Sequence, residues 1–212
     1  MNWSISWTGW ERLPMLENIA QSVTLSNSFS GSMRETWRRG VNDSTRVTQS
    51  VQYEKGFSPL AGISFSWKGG VSTDVNYNIS QSVSDERLGN RKTKTYSREF
   101  RIRGSYSSRK GIKIPIPVWP FKNKRLKNQT TFSLAYENRF NKTVSSTNNA
   151  KFNDDDPDSE ESSWSLQPTI DYRFSNMVTG SFHYEYAVQE SQIRGKTTSQ
   201  NFGFEVRISI RG

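Results

Sequence analysis

Apolar and polar residues alternate one for one along most of this chain, and that period limits what it can fold into. Trp3, Ile5 and Trp7 alternate with Ser4, Ser6 and Thr8. Val71, Val75, Tyr77, Ile79 and Val83 alternate with Ser72, Asp74, Asn76, Asn78 and Ser80. The closing segment sets Phe202, Phe204, Val206, Ile208 and Ile210 against Gly203, Glu205, Arg207, Ser209 and Arg211. Successive side chains of a strand point to opposite sides, so a period of two predicts strands with one apolar and one polar face. Nine are predicted, over 1–9, 22–37, 46–67, 71–83, 95–107, 130–140, 163–174, 178–188 and 201–211. Every aromatic residue within them holds the apolar phase. Trp10, Trp119, Phe121 and Phe152 fall in connections. Helix is confined to a turn between Leu13 and Ala20.

Composition removes other classes. A hydrophobic share of 32% alone would suggest disorder, but the 13% of aromatic residues are ordered by the alternation. There is no Cys, so no disulfide scaffold, thiol chemistry or Cys-ligated metal is available. With His183 as the one histidine, no His cluster can form, and a solvated wall residue is its expected identity. No apolar run approaches the ~18 residues of a membrane-crossing helix. No charged start followed by an apolar run reads as a signal peptide. The run from Asp154 to Glu161 begins like a calcium loop. Ser159 stands where the turn glycine belongs and Ser165 where the closing glutamate belongs, so a solvated loop is expected. The net charge of +9 does not point to nucleic acid, because the aromatics and the arginines occupy opposite faces. No catalytic constellation, cofactor site or metal site is predicted.

An apolar strand face is buried against a core or against lipid. The predicted strands mostly run eleven residues or more, enough to cross a bilayer when tilted, which takes ~9–11. The turns Lys68-Gly69-Gly70 and Ser175-Asn176-Met177 are tight. The intervening connections, 38–45, 84–94, 141–162 and 189–200, are longer and polar. That is the layout of an outer-membrane barrel, with short turns toward the periplasm. Aromatics near strand ends, among them Trp37, Trp67, Tyr106, Phe140, Trp164 and Phe174, suit an interfacial girdle. Two connections depart from the pattern. Residues 10–21 are partly apolar, and the proline-rich, basic stretch 108–129 is expected as a hairpin on the periplasmic side.

The expected fold is therefore all-β: an antiparallel up-and-down transmembrane β-barrel wall segment of about nine strands, part of a larger barrel. Residues assigned to the lumen are Arg34, Glu99, Arg101, Arg103, His183, Glu205 and Arg207. Residues assigned to lipid are Trp3, Trp7, Phe65, Phe132, Phe182 and Phe204. Single-chain bacterial barrels usually have an even strand number. The odd count predicts that Met1 is internal to a longer polypeptide, of which this is the C-terminal piece. The competing explanation is one further strand, arising from a break near Gly56-Phe57-Ser58-Pro59, where one apolar phase runs from Val47 to Trp67 and a single bulged strand is expected.

Four segments carry a resemblance to a known family: Asn2-Trp3-Ser4-Ile5-Ser6-Trp7-Thr8-Gly9-Trp10-Glu11, the tract from Tyr53 through Gly56-Phe57-Ser58-Pro59-Leu60-Ala61-Gly62-Ile63, Ile114-Pro115-Ile116, and Val206-Arg207-Ile208-Ser209-Ile210. They resemble the C-terminal end of the SprA (Sov) family, the very large outer-membrane translocon of the type 9 secretion system. The resemblance covers essentially the whole chain and rests on strand patterns and turn residues. It implies a single-chain barrel of many strands that conducts folded proteins from periplasm to cell surface, and in gliding bacteria exports motility adhesins. It further implies secreted cargo, a plug protein and accessory proteins as partners, beside the lipid bilayer and the remainder of the barrel. Two alternatives stay open: a porin or plugged-receptor transporter barrel, and a soluble surface-binding β-sandwich.

Overall fold

The computed structural model describes residues 1–40, 46–108, 112–113, 125–126, 128–147 and 150–209. Nine long strands form one sheet in which every neighbour in space is a neighbour in sequence and every pairing is antiparallel. They are β1 (Asn2–Thr8), β2 (Ala20–Arg39), β3 (Arg46–Trp67), β4 (Val71–Glu86), β5 (Arg91–Ser108), β6 (Thr130–Thr147), β7 (Ser159–Arg173), β8 (Val178–Ser191) and β9 (Gly195–Ile208). Among the described residues β1 pairs only with β2, and β9 only with β8. A two-layer sandwich is not what these residues form.

Register turns the alternation into continuous rows. Val71, Tyr106, Phe132, Ile170, Phe182 and Phe204 stand opposite one another across β4 to β9. Trp7, Leu25, Ile63, Val75, Ile102, Tyr136, Leu166 and Tyr186 do the same across β1 to β8. Both rows lie on one face. Nothing in the described structure covers it: Trp7 is 57% exposed, Phe204 66% and Phe202 78%. The hydrophobic residues that are buried are few and small: Ala20, Val23, Val51, Val144 and Val188. The accessible surface is 15460 Å², against roughly 10,000 Å² for a compact monomer of 24.4 kDa. The described residues form an open layer without an interior of its own.

Strand β3 carries the main irregularity. Phe57 pairs with Phe29 and Ile79, while Gly62 pairs with Ser26 and Asn76. Between those positions β3 has two more residues than either neighbour, around Ser58–Leu60. An even insertion bends a strand without exchanging its faces, so the apolar phase survives from Tyr53 to Trp67; a one-residue offset between Thr36 and Trp37 does exchange them and sets Val47 opposite Arg38, so the expected phase does not extend to Val47. The Asn27 side-chain amide donates to the Leu60 carbonyl and so supplies one bond the interrupted ladder lacks. Its Oδ1 is buried without a partner among the described residues.

The predicted connections 84–94 and 189–200 are shorter than expected. Strands β4 and β5 continue their ladder to Glu86↔Arg91, and β8 and β9 to Ser191↔Gly195. Turns occupy only 87–90 and 192–194. Likewise β6 runs to Thr147. Backbone pairing does not require an apolar face, and threonine-rich ends with opposed charges such as Asp85 and Lys92 extend it. On the opposite side, Gly69 and Gly70 take φ of 102° and 87°, as a tight hairpin joint demands.

The connection 9–19 begins with a 3₁₀ turn at Trp10–Arg12. Hydrogen-bonded turns follow, including Glu17 N–H to the Leu13 carbonyl at 2.9 Å. Hydrogen bonds from its own backbone N–H, and then from that of Val23, hold the Glu11 carboxyl below the usual carboxylate range. In the expected hairpin of 108–129, Ile112–Lys113 pairs with Arg125–Leu126. The tract 114–124 lies outside the described residues.

Candidate functional site

The polar face is the chemically distinctive surface. Its rows are rich in hydroxyl and amide groups. One runs Ser6, Ser26, Gly62, Asn76, Arg101, Glu137, Ser165, Ala187 and Ser199 across all nine strands. Register places Arg34, Glu99, Arg101, Arg103, His183, Glu205 and Arg207 in this phase, opposite Gln52, Arg139, Glu137, Ala135, Gly203, Ser181 and Thr179 respectively. Trp3, Trp7, Phe65, Phe132, Phe182 and Phe204 hold the other phase.

This polar face is concave where β3 bends. Asn2, Ser30, Gly56, Asn78, Ser80 and Ser97, from five successive strands, border one hollow of about 640 Å³. The hollow is open to solvent, and among the described residues no catalytic groups converge on it. Among the described residues no group of three or more His, Asp or Glu is placed to hold a metal ion.

Four charges stand out. Arg101 lies 2.6 Å from Glu99 and 3.1 Å from Glu137. Arg139 lies 3.3 Å from Glu99 and 2.7 Å from Glu137. The four form a closed ring of alternating sign on β5 and β6. Reading the residues strand by strand finds Glu99 and Arg101 but misses Glu137 and Arg139. The available signal is the repeat of Glu-x-Arg at 99–101 and 137–139. Antiparallel register sets one copy head to tail against the other, so unlike charges oppose. A third copy, Glu205-x-Arg207, closes on itself at 3.2 Å. Among the described residues, no carboxylate lies within ion-pair distance of Arg34 or Arg103.

The ring side chains are 18–45% exposed, so water screens them and their worth is modest. A double-mutant cycle of Arg101→Ala and Glu137→Ala, read by denaturant unfolding, is expected to give a coupling of about 1 kcal/mol or less. A coupling several times larger would mean the ring is drier than its exposure states.

His183 does not join a triad. Its imidazole lies over Gly203, where any Cβ would collide with the ring. Its row neighbours on β7 and β9 are Thr169 and Gly203. In the acidic run, the Asp154 carboxylate is taken by Lys94 at 2.9 Å. No protein-family model matches this chain, and no curated protein matches it.

Proposed function

We propose that this chain is a wall segment of an outer-membrane β-barrel, and more narrowly the C-terminal part of a translocon that conducts proteins from periplasm to cell surface. The observation that carries the reading is the single-layer sheet whose aromatic face has no protein cover among the described residues while the opposite face is hydrophilic and concave. Strand length agrees. From Tyr106 to Tyr96 on β5, ten residues span about 34 Å along the strand. At a tilt near 40° that is about 26 Å along a membrane normal, close to the ~25 Å apolar band of such barrels. The open edges of β1 and β9 supply unpaired backbone groups for the remainder of the wall. Among the described residues the first and last of the nine strands do not pair with each other, which suits a larger ring. A lumen of serine, threonine and asparagine, with Glu99, Arg101, Glu137 and Arg139 neutralising one another, offers a passing polypeptide little to adhere to, which favours protein conduction over a ligand-specific receptor. The resemblance to the SprA family points the same way.

The membrane reading is tested by fractionation. The protein should sediment with outer membranes, resist alkaline carbonate and dissolve only in detergent. Release by carbonate alone would refute it. The narrower reading is tested by deletion. Loss of surface-displayed proteins with small-solute uptake intact is expected. The reverse pattern would assign the chain to a transporter barrel instead.

A further inference from the structure

The apolar-phase face is not apolar throughout. At the end of β5 and β6 nearest the connections 87–90 and 148–158, it carries Lys94, Arg98 and Lys142. Arg98 stands opposite Phe140, and Lys142 opposite Tyr96. The Arg98 guanidinium lies 5.0 Å from the Tyr96 ring and 5.2 Å from the Phe140 ring. Rings on either side restrict it, which lowers the entropy an incoming anion would have to remove. Lys55 extends the same row two strands away, through Gln81. Among the described residues, no carboxylate lies within ion-pair distance of Arg98 or Lys55, and Glu160, opposite Lys142 in register, makes no ion pair with it.

Lys94 and Lys142 indicate the chemistry this patch accepts. Lys94 holds both oxygens of the Asp154 carboxylate, at 2.9 and 3.0 Å. Lys142 donates to the Asp154 main-chain carbonyl. An acidic group from the loop already occupies one side of the cluster, and Arg98 is left facing outward and exposed. The height is informative too. Arg98 and Tyr96 lie eight and ten residues from Tyr106 on β5, about 21 and 26 Å along the normal at the same tilt. That is the level where hydrocarbon gives way to headgroups.

We infer that Arg98 and Lys142, with Lys94 and Lys55 beside them, bind the phosphate groups of a phosphorylated lipid headgroup in the leaflet on the side of the connections 87–90 and 192–194. The inference rests on the membrane-wall reading above. Tyr96 and Phe140 seat the headgroup boundary, and the cations neutralise the phosphate.

The test places the full chain in phosphatidylcholine nanodiscs with either lipid A or its dephosphorylated form, and counts retained glycolipid by native mass spectrometry. Lipid A should be retained and the dephosphorylated form largely lost. Each cation removed should weaken retention about fivefold, so Arg98→Gln with Lys142→Gln weakens it about 25-fold. Asp154→Asn, which frees Lys94, should strengthen it about fivefold. Arg207→Gln on the polar face should change nothing. Equal retention of the two glycolipids, or an unaffected double variant, overturns the inference. So does displacement by millimolar inorganic phosphate, which would assign the patch to the free anion. Quenching of tryptophan fluorescence by brominated lipid in the same samples separates the two readings. Quenched tryptophans without phosphate preference defeat this inference alone, whereas unquenched tryptophans defeat the membrane wall as well.

Discussion

An arginine in place of Phe204 is expected to prevent stable membrane assembly of this chain, while an arginine in place of Asn201, three residues earlier on the same strand, is tolerated. Phe204 stands in the apolar row opposite Phe182, within the run Phe202 to Ile208, and is 66% exposed on the uncovered face. In the membrane reading that exposure is to hydrocarbon, where an arginine near mid-depth costs about 2–4 kcal/mol. That corresponds to a fall of roughly thirtyfold to several hundredfold in the inserted fraction. Asn201 belongs to the polar face and stands opposite Glu185. An arginine there meets water and a carboxylate and changes stability by less than about 1 kcal/mol. Gly203 would be a poorer control, although it shares the polar phase, because the His183 ring occupies the space a side chain would need. Protease protection and heat-modifiable gel mobility in vesicles measure both variants. Comparable losses from the two substitutions would defeat the two-faced strand.

The period-two pattern revealed this much because it reports which face of a strand meets which medium. It located nine strands, their order as a meander and the bulged course of β3 without a break, since an even insertion leaves the phase untouched from Tyr53 to Trp67, while the one-residue offset that sets Val47 opposite Arg38 escaped it. It did not reveal where ladders end. Beyond Val83 and Val188 both faces are polar, so alternation fades while antiparallel pairing goes on to Glu86 and Ser191. Nor did it reveal the charge ring or the basic aromatic cluster on β5 and β6. Those depend on which residue of one strand stands opposite which residue of the next. Arg98 and Lys142 even interrupt the apolar phase, and they gain meaning only when register sets them beside Phe140 and Tyr96. Asn27 is the same kind of case: a polar residue in an apolar row, opposite Ile5, that makes sense once the Leu60 carbonyl is seen at the bulge.

That bulge is also where a small substitution should do the most damage to the sheet itself. A Cβ on Gly56 would sit 2.7 Å from the Ile79 carbonyl oxygen and 3.0 Å from Ser80 Cα. These are backbone atoms of the paired strand β4, and they cannot retreat without opening the ladder that Gly56↔Ser80 belongs to. On the far side of the insertion, Gly62 is hemmed in by Ser26, Pro59 and Asn76. Both glycines lie on the polar side, so the sheet bends toward that side through two positions with no room for a side chain. Gly56→Val should therefore lower stability by about 1–3 kcal/mol through overpacking, a factor of about five to 150 in the folded-to-unfolded ratio. Gly104→Val is the matched comparison. It lies mid-strand on β5, opposite Thr73 and Leu134 on the apolar face, with nothing within 4 Å of its Cβ position. A β-branched residue there adds strand propensity and apolar surface toward the medium, so stability should hold or rise. Guanidinium unfolding followed by tryptophan fluorescence compares the two midpoints. If Gly56→Val matches Gly104→Val, the close approach of β3 to β4 does not set the bend, and the concavity of the polar face must come from elsewhere in the sheet.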